Sequence, residues 1–384
     1  MPPRSIRSRA LCAALALVAS VFADAAFAQS AAGVRWHPAD VDTTALSRFA
    51  DSIAAGQFGY IDGLLVMRDS RVVFERTFPR SYANAYPMTD PPGPFNYHDP
   101  HWHPYYNNTS LHTQQSVTKS VTSIVYGIAL ARGDIKSIDQ PIASFFPDHA
   151  PDFTDPRKRR ITIRHLLTMT SGIRWPEGGS YDASQDLTGR MEQSTDWVAL
   201  VLAQPMEAEP GTHWSYSSGA AALLGAVFRA ATKRDIRDYA AEHLFQPLGI
   251  EHFLWKQSAG GLTDTEGGLY LDIHDMAKMG QLYLQQGKWK GRQIVPSAWV
   301  AESVAPQSTG RADGYRYGRL WWMMPKGALR DSSEFNADGY GGQYITVFPR
   351  WQTVAVITGW NLDRRPVTPL DFARRVEQAV AGDK

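Results

Sequence analysis

The chain has 384 residues, 43% of them apolar and 11% aromatic, with a formal net charge of +1. That is apolar material for one large domain or two sharing an interface, and the even charge balance offers no basic field for nucleic acid or an anionic membrane surface. The single cysteine, Cys12, lies in a segment expected to be removed, so the fold is expected to rest on its core without disulfides.

Arg4, Arg7 and Arg9 precede an apolar run from Ala10 to Phe22 and then Ala26-Phe27-Ala28. This pattern predicts a signal peptide over residues 1–28, cleaved after Ala28. The run is shorter than the ~20 residues of a membrane-spanning helix, and no later segment reaches that length free of charges. Cleavage removes three Arg and one Asp and leaves a formal charge of −1. The mature chain is expected in the periplasm or outside the cell, not stably inserted in a membrane.

Residues 34–60 read as helical, mainly DTTALSRFADSIAAG, with Gly56 as the stop. Two β-branched and aromatic runs then flank Asp69-Ser70 in GLLVMRDSRVVFERTF, the signature of a hairpin. Residues 80–113, rich in Pro, Asn, Tyr and His, hold no period and read as a long loop, a kind of segment often functional. His98, His101 and His103 lie there; as residue types they suit a metal, but their spacing fits no standard zinc pattern. From Gln115 to Ala131 the apolar positions Val117, Val121, Ile124, Val125 and Ile128 follow a helix that Gly133 closes. Residues 134–300 continue mostly as helices, among them TIRHLLTM, DWVALVLAQ, GAAALLGAVFRAATK, IRDYAAEHLF and DIHDMAKMGQLYLQQG. Strands return in YGRLWWM, GQYITVFP and WQTVAVITGW, the last two joined at Pro349-Arg350, and a helix runs from about Pro369 to Val380. Strands at both ends with helices between predict an α/β (α+β) fold. Its sheet domain is assembled from residues 29–115 and 305–384, with a helical domain over 116–304.

Ser116-Val117-Thr118-Lys119 is a Ser-x-x-Lys box of the type found in penicillin-binding enzymes and β-lactamases. Residues three apart share a helix face, so the Lys119 amine can reach the Ser116 hydroxyl, and a neutral amine there would take the serine proton. Desolvation in a cleft is expected to lower the pKa of that amine. Ordinary Ser and Lys frequencies give about one such match in a chain this long, so the box gains meaning from its setting. Ser116 opens an apolar helix straight after a long loop, where helix-terminal N–H groups favour developing negative charge. A serine that merely caps the helix would sit in the same place.

The stretches TQQSVTKSVTS, ITIRHLLTMTSGI, EPGTHWSYSSGAAALLG, LFQPLGIEH and GYGGQYITVFP resemble, in order, successive blocks of the serine β-lactamase superfamily. The likeness is to its class C branch, which includes esterases, D-aminopeptidases, DD-peptidases and 6-aminohexanoate-dimer hydrolases, and it spans about residues 55–380. It implies a β-lactamase/transpeptidase-like fold: an antiparallel sheet flanked by helices, with an inserted helical domain. It also implies that Ser116 is acylated and that Tyr216, in the second box Tyr216-Ser217-Ser218, relays a proton between Ser116 and the leaving group. Ser218 stands where the family usually has Asn and lacks the amide's paired donor and acceptor. Ala337-Asp338-Gly339, ahead of Tyr340-Gly341-Gly342, matches the third box without its basic first residue. The resemblance places the oxyanion hole at the backbone N–H groups of Ser116 and Tyr340. It assigns substrate contacts to Ser218, Gly339 and Gly342, and to Trp175, Tyr181 and Asp182 on a loop lining the cleft.

Together these readings describe a serine hydrolase forming an acyl-enzyme with a small ester or amide, with no metal and no cofactor expected. Two alternatives stay open: a class C-type β-lactamase or D-alanyl-D-alanine carboxypeptidase, and a catalytically silent penicillin-binding-like module that binds peptidoglycan. A classical α/β-hydrolase is disfavoured, because the sequence has no Gly-x-Ser-x-Gly elbow on a strand-to-helix turn.

Overall fold

Helix α1, Thr43–Ala54, starts where the Asp42 carboxylate accepts the Ala45 N–H at 3.0 Å, and it buries Leu46, Phe49, Ala50 and Ile53 on one stripe. The structure, a computed structural model, describes residues 41–79, 99, 110–177, 186–361 and 367–382. The expected signal peptide and His98, His101 and His103 lie outside the described residues. Every element below belongs to one compact unit, Val41–Lys384.

Strands β1, Ile61–Arg68, and β2, Arg71–Thr77, form the expected hairpin. Asp69 and Ser70 hold φ of 47° and 65°, the pair of left-handed residues a two-residue turn of this hand needs. A short strand β3, His112–Thr113, then leads into helix α2, Val117–Arg132, closed by Gly133 at φ 79°. All residues of α2 from Val117 to Ala129 are buried. A helix covered on every face lies inside the protein, and its hydroxyls bond to neighbouring carbonyls: Ser120 donates to Leu320 at 2.6 Å and Thr122 to Thr265 at 3.2 Å.

The middle of the chain is helical but more broken than its pattern predicts. TIRHLLTM yields only Ile163–Leu167, and DWVALVLAQ only Trp197–Leu202. Helix α3, Ser218–Thr232, is capped by Ser217, whose Oγ accepts the Ala220 N–H at 2.9 Å. Strands β4, Leu254–Trp255, and β5, Leu269–Leu271, join β3 in a three-stranded sheet of order β3-β5-β4. Helix α4, Ile273–Leu284, follows, then a two-stranded ribbon of β6, Lys288–Trp289, and β7, Arg292–Gln293.

YGRLWWM is not one strand. Leu320 adopts φ 61°, and the segment splits into β8, Arg316–Tyr317, and β9, Trp322–Met323. Strands β10, Phe335–Gly339, β11, Gln343–Phe348, and β12, Thr353–Gly359, complete a seven-stranded sheet of order β2-β1-β12-β11-β10-β9-β8. All its pairings are antiparallel. Leu65 pairs with Val356, which pairs in turn with Ile345, so the two ends of the chain interlock in the middle of the sheet. Helix α5, Pro369–Ala381, packs Phe372 against Phe49 and Tyr344 on one face, while α4 covers the other through Gly280 against Val354 and Ile345. The architecture is thus an α/β fold with a central antiparallel sheet flanked by helices and a helical subdomain inserted between its strands.

Candidate active site

Ser116 is held between the small sheet and α2. β3 pairs with β5, and the Gln114 N–H donates to the Leu269 carbonyl at 2.8 Å. Gln115 is then driven to φ 46°, a conformation that non-glycine residues rarely adopt and that clusters at functional sites. Ser116 follows at φ −64° as the residue that opens α2, yet its side chain caps no backbone N–H. Its hydroxyl instead accepts a hydrogen bond from Lys119 Nζ at 2.9 Å. The serine is half-buried, whereas Lys119 is 1% exposed.

Lys119 is the hub of a buried polar network. Besides Ser116, its Nζ donates to Ser218 Oγ at 3.1 Å, to the Glu266 carbonyl at 2.8 Å and to Glu266 Oε2 at 3.0 Å. Ser218 continues the chain: its hydroxyl donates to Glu177 Oε1 and its backbone N–H to Glu177 Oε2, both at 2.7 Å. Ser218 is itself 1% exposed. Its single hydroxyl proton is committed to Glu177, so it joins Lys119 to that carboxylate instead of offering a donor to a substrate.

The electrostatics reverse the expectation for Lys119. Burial does oppose its charge, but Tyr216, Glu266 and Glu177 outweigh burial and hold its pKa above the ordinary lysine value. Burial pushes the Glu177 carboxyl up against the pull of Lys119. Burial also acts upward on Glu266, but there Lys119 and the neighbouring hydrogen bonds win and the carboxyl is held low. Lys119 is therefore an ammonium paired with a Glu266 carboxylate.

Tyr216 lies in front of α3 with Lys119 Nζ 5.1 Å from its ring centroid. Burial raises its phenol pKa, against the attraction of Lys119 and a hydrogen bond with Ser116. An aromatic wall sets the ring: Trp322 of β9 stacks on Tyr216 at 5.7 Å and 24°, and Tyr317 of β8 meets it edge-on at 6.3 Å.

At the end of β10, a Cβ on Gly339 would come within 2.4 Å of the Gln114 carbonyl, two residues before Ser116. Tyr340 begins the turn, and Gln343 Nε2 donates to its carbonyl at 3.0 Å. Gly342, at φ 99°, packs toward Ile61 and Asn361. Gly339 is thus required by a close contact within the protein, and Gly342 by its positive φ.

The structure thus brings together Ser116, Lys119, Tyr216 and Ser218, with the β10 end beside them. Trp175 takes another place from the one expected: it is 2% exposed, donates to Thr188 Oγ1 at 3.3 Å and lies flat where any Cβ on Gly219 would collide with it. It is a packing residue beneath α3, not a cleft wall. Tyr181 and Asp182 lie outside the described residues. Glu266 and Glu177 were missed in the sequence, where neither lies in one of the three boxes.

Behind Lys119, the carboxylates of Glu192, Asp264 and Glu266 come within 4.8 Å of one another. Lys256 Nζ supplies a positive charge there, 3.7 Å from Glu192 and 3.9 Å from Asp264. Burial drives Glu192 well above the usual carboxyl range and Asp264 up to about 6. Burial holds the Glu192 carboxyl up, and its hydrogen bond with Glu266 raises Glu192 further while holding Glu266 down.

The Beta-lactamase family model matches residues 61–376. Esterase EstB of Burkholderia gladioli is 30% identical over 142 residues, covering 35% of this chain and 36% of that protein. A protein named Beta-lactamase from Escherichia coli K12 is 26% identical over 242 residues, 57% of this chain and 60% of its own. The alignments thus span about a third and three fifths of these two relatives. Among solved structures, EstCE1, described as a hydrolase with promiscuous acyltransferase activity, superposes with a TM-score of 0.64 at 16% identity over 94% of this chain and 100% of that one. At that identity the likeness speaks to the fold alone. Among the described residues no helix is long and apolar enough to cross a membrane.

Proposed function

The chain belongs to the beta-lactamase family, and on that footing we propose that it is a serine hydrolase that forms an acyl-enzyme on Ser116 and hydrolyses a small ester or amide. The observation that carries this reading is the Lys119 Nζ to Ser116 Oγ hydrogen bond of 2.9 Å on a buried helix. A serine that serves only as a cap would spend its oxygen on backbone N–H groups, and this one does not.

In this reading the Ser116 oxygen attacks the acyl carbon. Negative charge on the substrate oxygen develops against the backbone N–H groups of Ser116 and Tyr340, where preorganised donors cost no rearrangement in the transition state. Tyr216, neutral and held against Trp322, is placed to hand a proton to the leaving group. Water then takes the leaving group's place and releases the acid. The leader sequence supports a mature protein outside the cytoplasm that begins at Gln29.

A small ester or amide is favoured over an anionic lactam by the charges around the serine. Ala337 stands where the third box is usually basic, and Glu177, Glu266 and Asp338 all act on Tyr216 or Lys119. Arg319 supplies no compensating charge, since it pairs with Glu302 and lies over the Trp299 ring at 4.5 Å. The second reading, a class C-type β-lactamase or D-alanyl-D-alanine carboxypeptidase, draws on the likeness to the E. coli protein.

The test is a turnover screen of short esters, D-amino-acid amides, linear amide dimers and a chromogenic cephalosporin with wild type and Ser116→Ala. Turnover of one of the first three that vanishes in the variant is the expected result. Acylation without turnover on every substrate would point to a binding module instead.

A further inference from the structure

We propose that Glu266 is the terminal proton acceptor for acylation: as Ser116 attacks, Lys119 takes the Ser116 proton and passes one of its own to Glu266 Oε2. This inference rests on the acyl-enzyme reading above and concerns a group that neither the Ser-x-x-Lys box nor the resemblance assigns.

The need for an acceptor comes from the resting charges. A base must offer an electron pair that is both free and basic, and neither group next to the Ser116 hydroxyl does. Lys119 is an ammonium, and Tyr216 is a neutral phenol. The two carboxylates of the network are the candidates. Glu266 touches the ammonium directly, with Oε2 at 3.0 Å from Nζ, while Nζ is 2.9 Å from Ser116 Oγ. Both distances are those of formed hydrogen bonds. Glu177 reaches Lys119 only through the Ser218 hydroxyl and would need one further hop.

The transfer balances. The O–H bond of Ser116 breaks as its proton joins Nζ, an N–H bond of Lys119 breaks as its proton joins Oε2, and the serine oxygen electron pair forms the bond to the acyl carbon. The carbonyl π electrons move onto the substrate oxygen. When they return, the bond to the leaving group breaks, Tyr216 hands it a proton, and the Glu266 proton travels back through Lys119 to restore the phenol. Lys119 ends the step as an ammonium again and Glu266 as a neutral acid, so the network loses one negative charge as one grows at the oxyanion and no new charge is buried.

The groups around Glu266 set its proton affinity from every side. Lys119 of α2 and the hydrogen bond from Glu192, at the end of the helix Leu187–Glu192, lower it. Asp264 and Glu266 repel one another, and Lys256 offsets them both. Ser218 of α3 lies beside it, and Glu177 and Asp186 lie within its field. The Asp264 charge favours protonation of Glu266, whereas Lys119, an ammonium again once it has taken the Ser116 proton, opposes it.

The experiment is the rate of fluorophosphonate labelling of Ser116, followed by mass spectrometry from about pH 3 to about pH 9. Wild type should show a plateau with an acid limb set by the Glu266 cluster. Glu266→Gln should label about 100-fold more slowly at neutral pH and regain rate only as pH rises and Lys119 loses its proton unaided. Glu266→Asp should keep the shape of the wild-type profile at a lower rate. Asp264→Asn retains an oxygen for the Glu266 and Gly267 N–H groups that Asp264 Oδ1 accepts at 3.0 and 2.9 Å. It should move the acid limb to lower pH, because a charge next to Glu266 is gone. Wild-type rate and profile in Glu266→Gln would overturn the relay. If that variant does not melt cooperatively, an acid limb unmoved in Asp264→Asn does so. Wild type that takes no label at Ser116 refutes the acyl-enzyme reading instead.

Discussion

Gly339 and Gln114 touch across the boundary between the large sheet and the serine-bearing segment, with room for a hydrogen but not for a Cβ at 2.4 Å from the Gln114 carbonyl. The backbone atom it would strike is not the end of a flexible side chain, so the strand or the Gln114-Gln115-Ser116 turn must shift. Gly339→Ala is expected to destabilise by about 1–3 kcal/mol and to slow Ser116 labelling by more than its loss of stability explains. Labelling at the wild-type rate in a folded variant would show that β10 does not set the position of the serine.

Tyr216 and Trp322 separate chemistry from positioning. Tyr216→Phe keeps the ring stacked on Trp322 at 5.7 Å and removes only the hydroxyl. If the phenol moves a proton in the rate-limiting step, kcat should drop about 100-fold to 10,000-fold with KM little changed. A variant with normal kcat and raised KM would assign Tyr216 to substrate binding.

Much of this arrangement is legible in the sequence where partners are close along the chain or in a periodic segment. Ser116 and Lys119 lie three apart on one helix, and the Asp69-Ser70 turn announces its hairpin. Helix α5 begins and ends within a residue of its expected bounds. What is hidden depends on long-range pairing. Lys119 meets Glu266 across 147 residues and Ser218 across 99, and the β3-β5 pairing together with the Thr118 and Thr122 bonds to Leu269 and Thr265 brings the first of these contacts about. Nothing local in Thr263-Asp264-Thr265-Glu266-Gly267 says that its acids are buried. The same gap produced the reversed expectation for Lys119, since desolvation is visible from a buried helix whereas the carboxylates that overcome it are not. Trp175 reads as a loop aromatic because its partner, Gly219, is a helix start 44 residues on whose missing side chain leaves the space it fills.

Glu334 gives a pH dependence of stability away from the serine. It is 1% exposed at the start of β10, and burial pushes its carboxyl up to about 8. A raised carboxyl pKa means that the folded state holds the proton more tightly. Its stability contribution is full below the unfolded value near 4.3, declines as pH rises and is lost on passing about 8. Glu334→Gln, which cannot ionise, should therefore melt higher than wild type at alkaline pH, with the gap closing toward about pH 5. Parallel melting curves for the two proteins across that range would mean that Glu334 is solvated.

Substrate charge is the sharpest consequence of the site. A β-lactam antibiotic brings a carboxylate, and the position that would usually carry a matching base is Ala337, fully buried in β10. Glu177 sits 2.7 Å from Ser218, where the family usually has Asn. Arg319 is committed to Glu302, and Arg311, which lies over Trp322 at 5.8 Å, pairs with Asp313 at 2.6 Å. An anionic substrate would lose a charge-assisted hydrogen bond and a neutral one, about 2–4 kcal/mol, or roughly 30- to 1000-fold in kcat/KM, and would meet like charge as well. A neutral ester asks for neither contact and leaves the Glu177 and Lys119 network undisturbed. The specificity constant for a short-chain p-nitrophenyl ester should therefore exceed that for a chromogenic cephalosporin. Raising the ionic strength should narrow the difference, because screening weakens the repulsion of the anion and leaves the ester unaffected. A cephalosporin that is the better substrate at low salt would show that these carboxylates do not govern what enters the site.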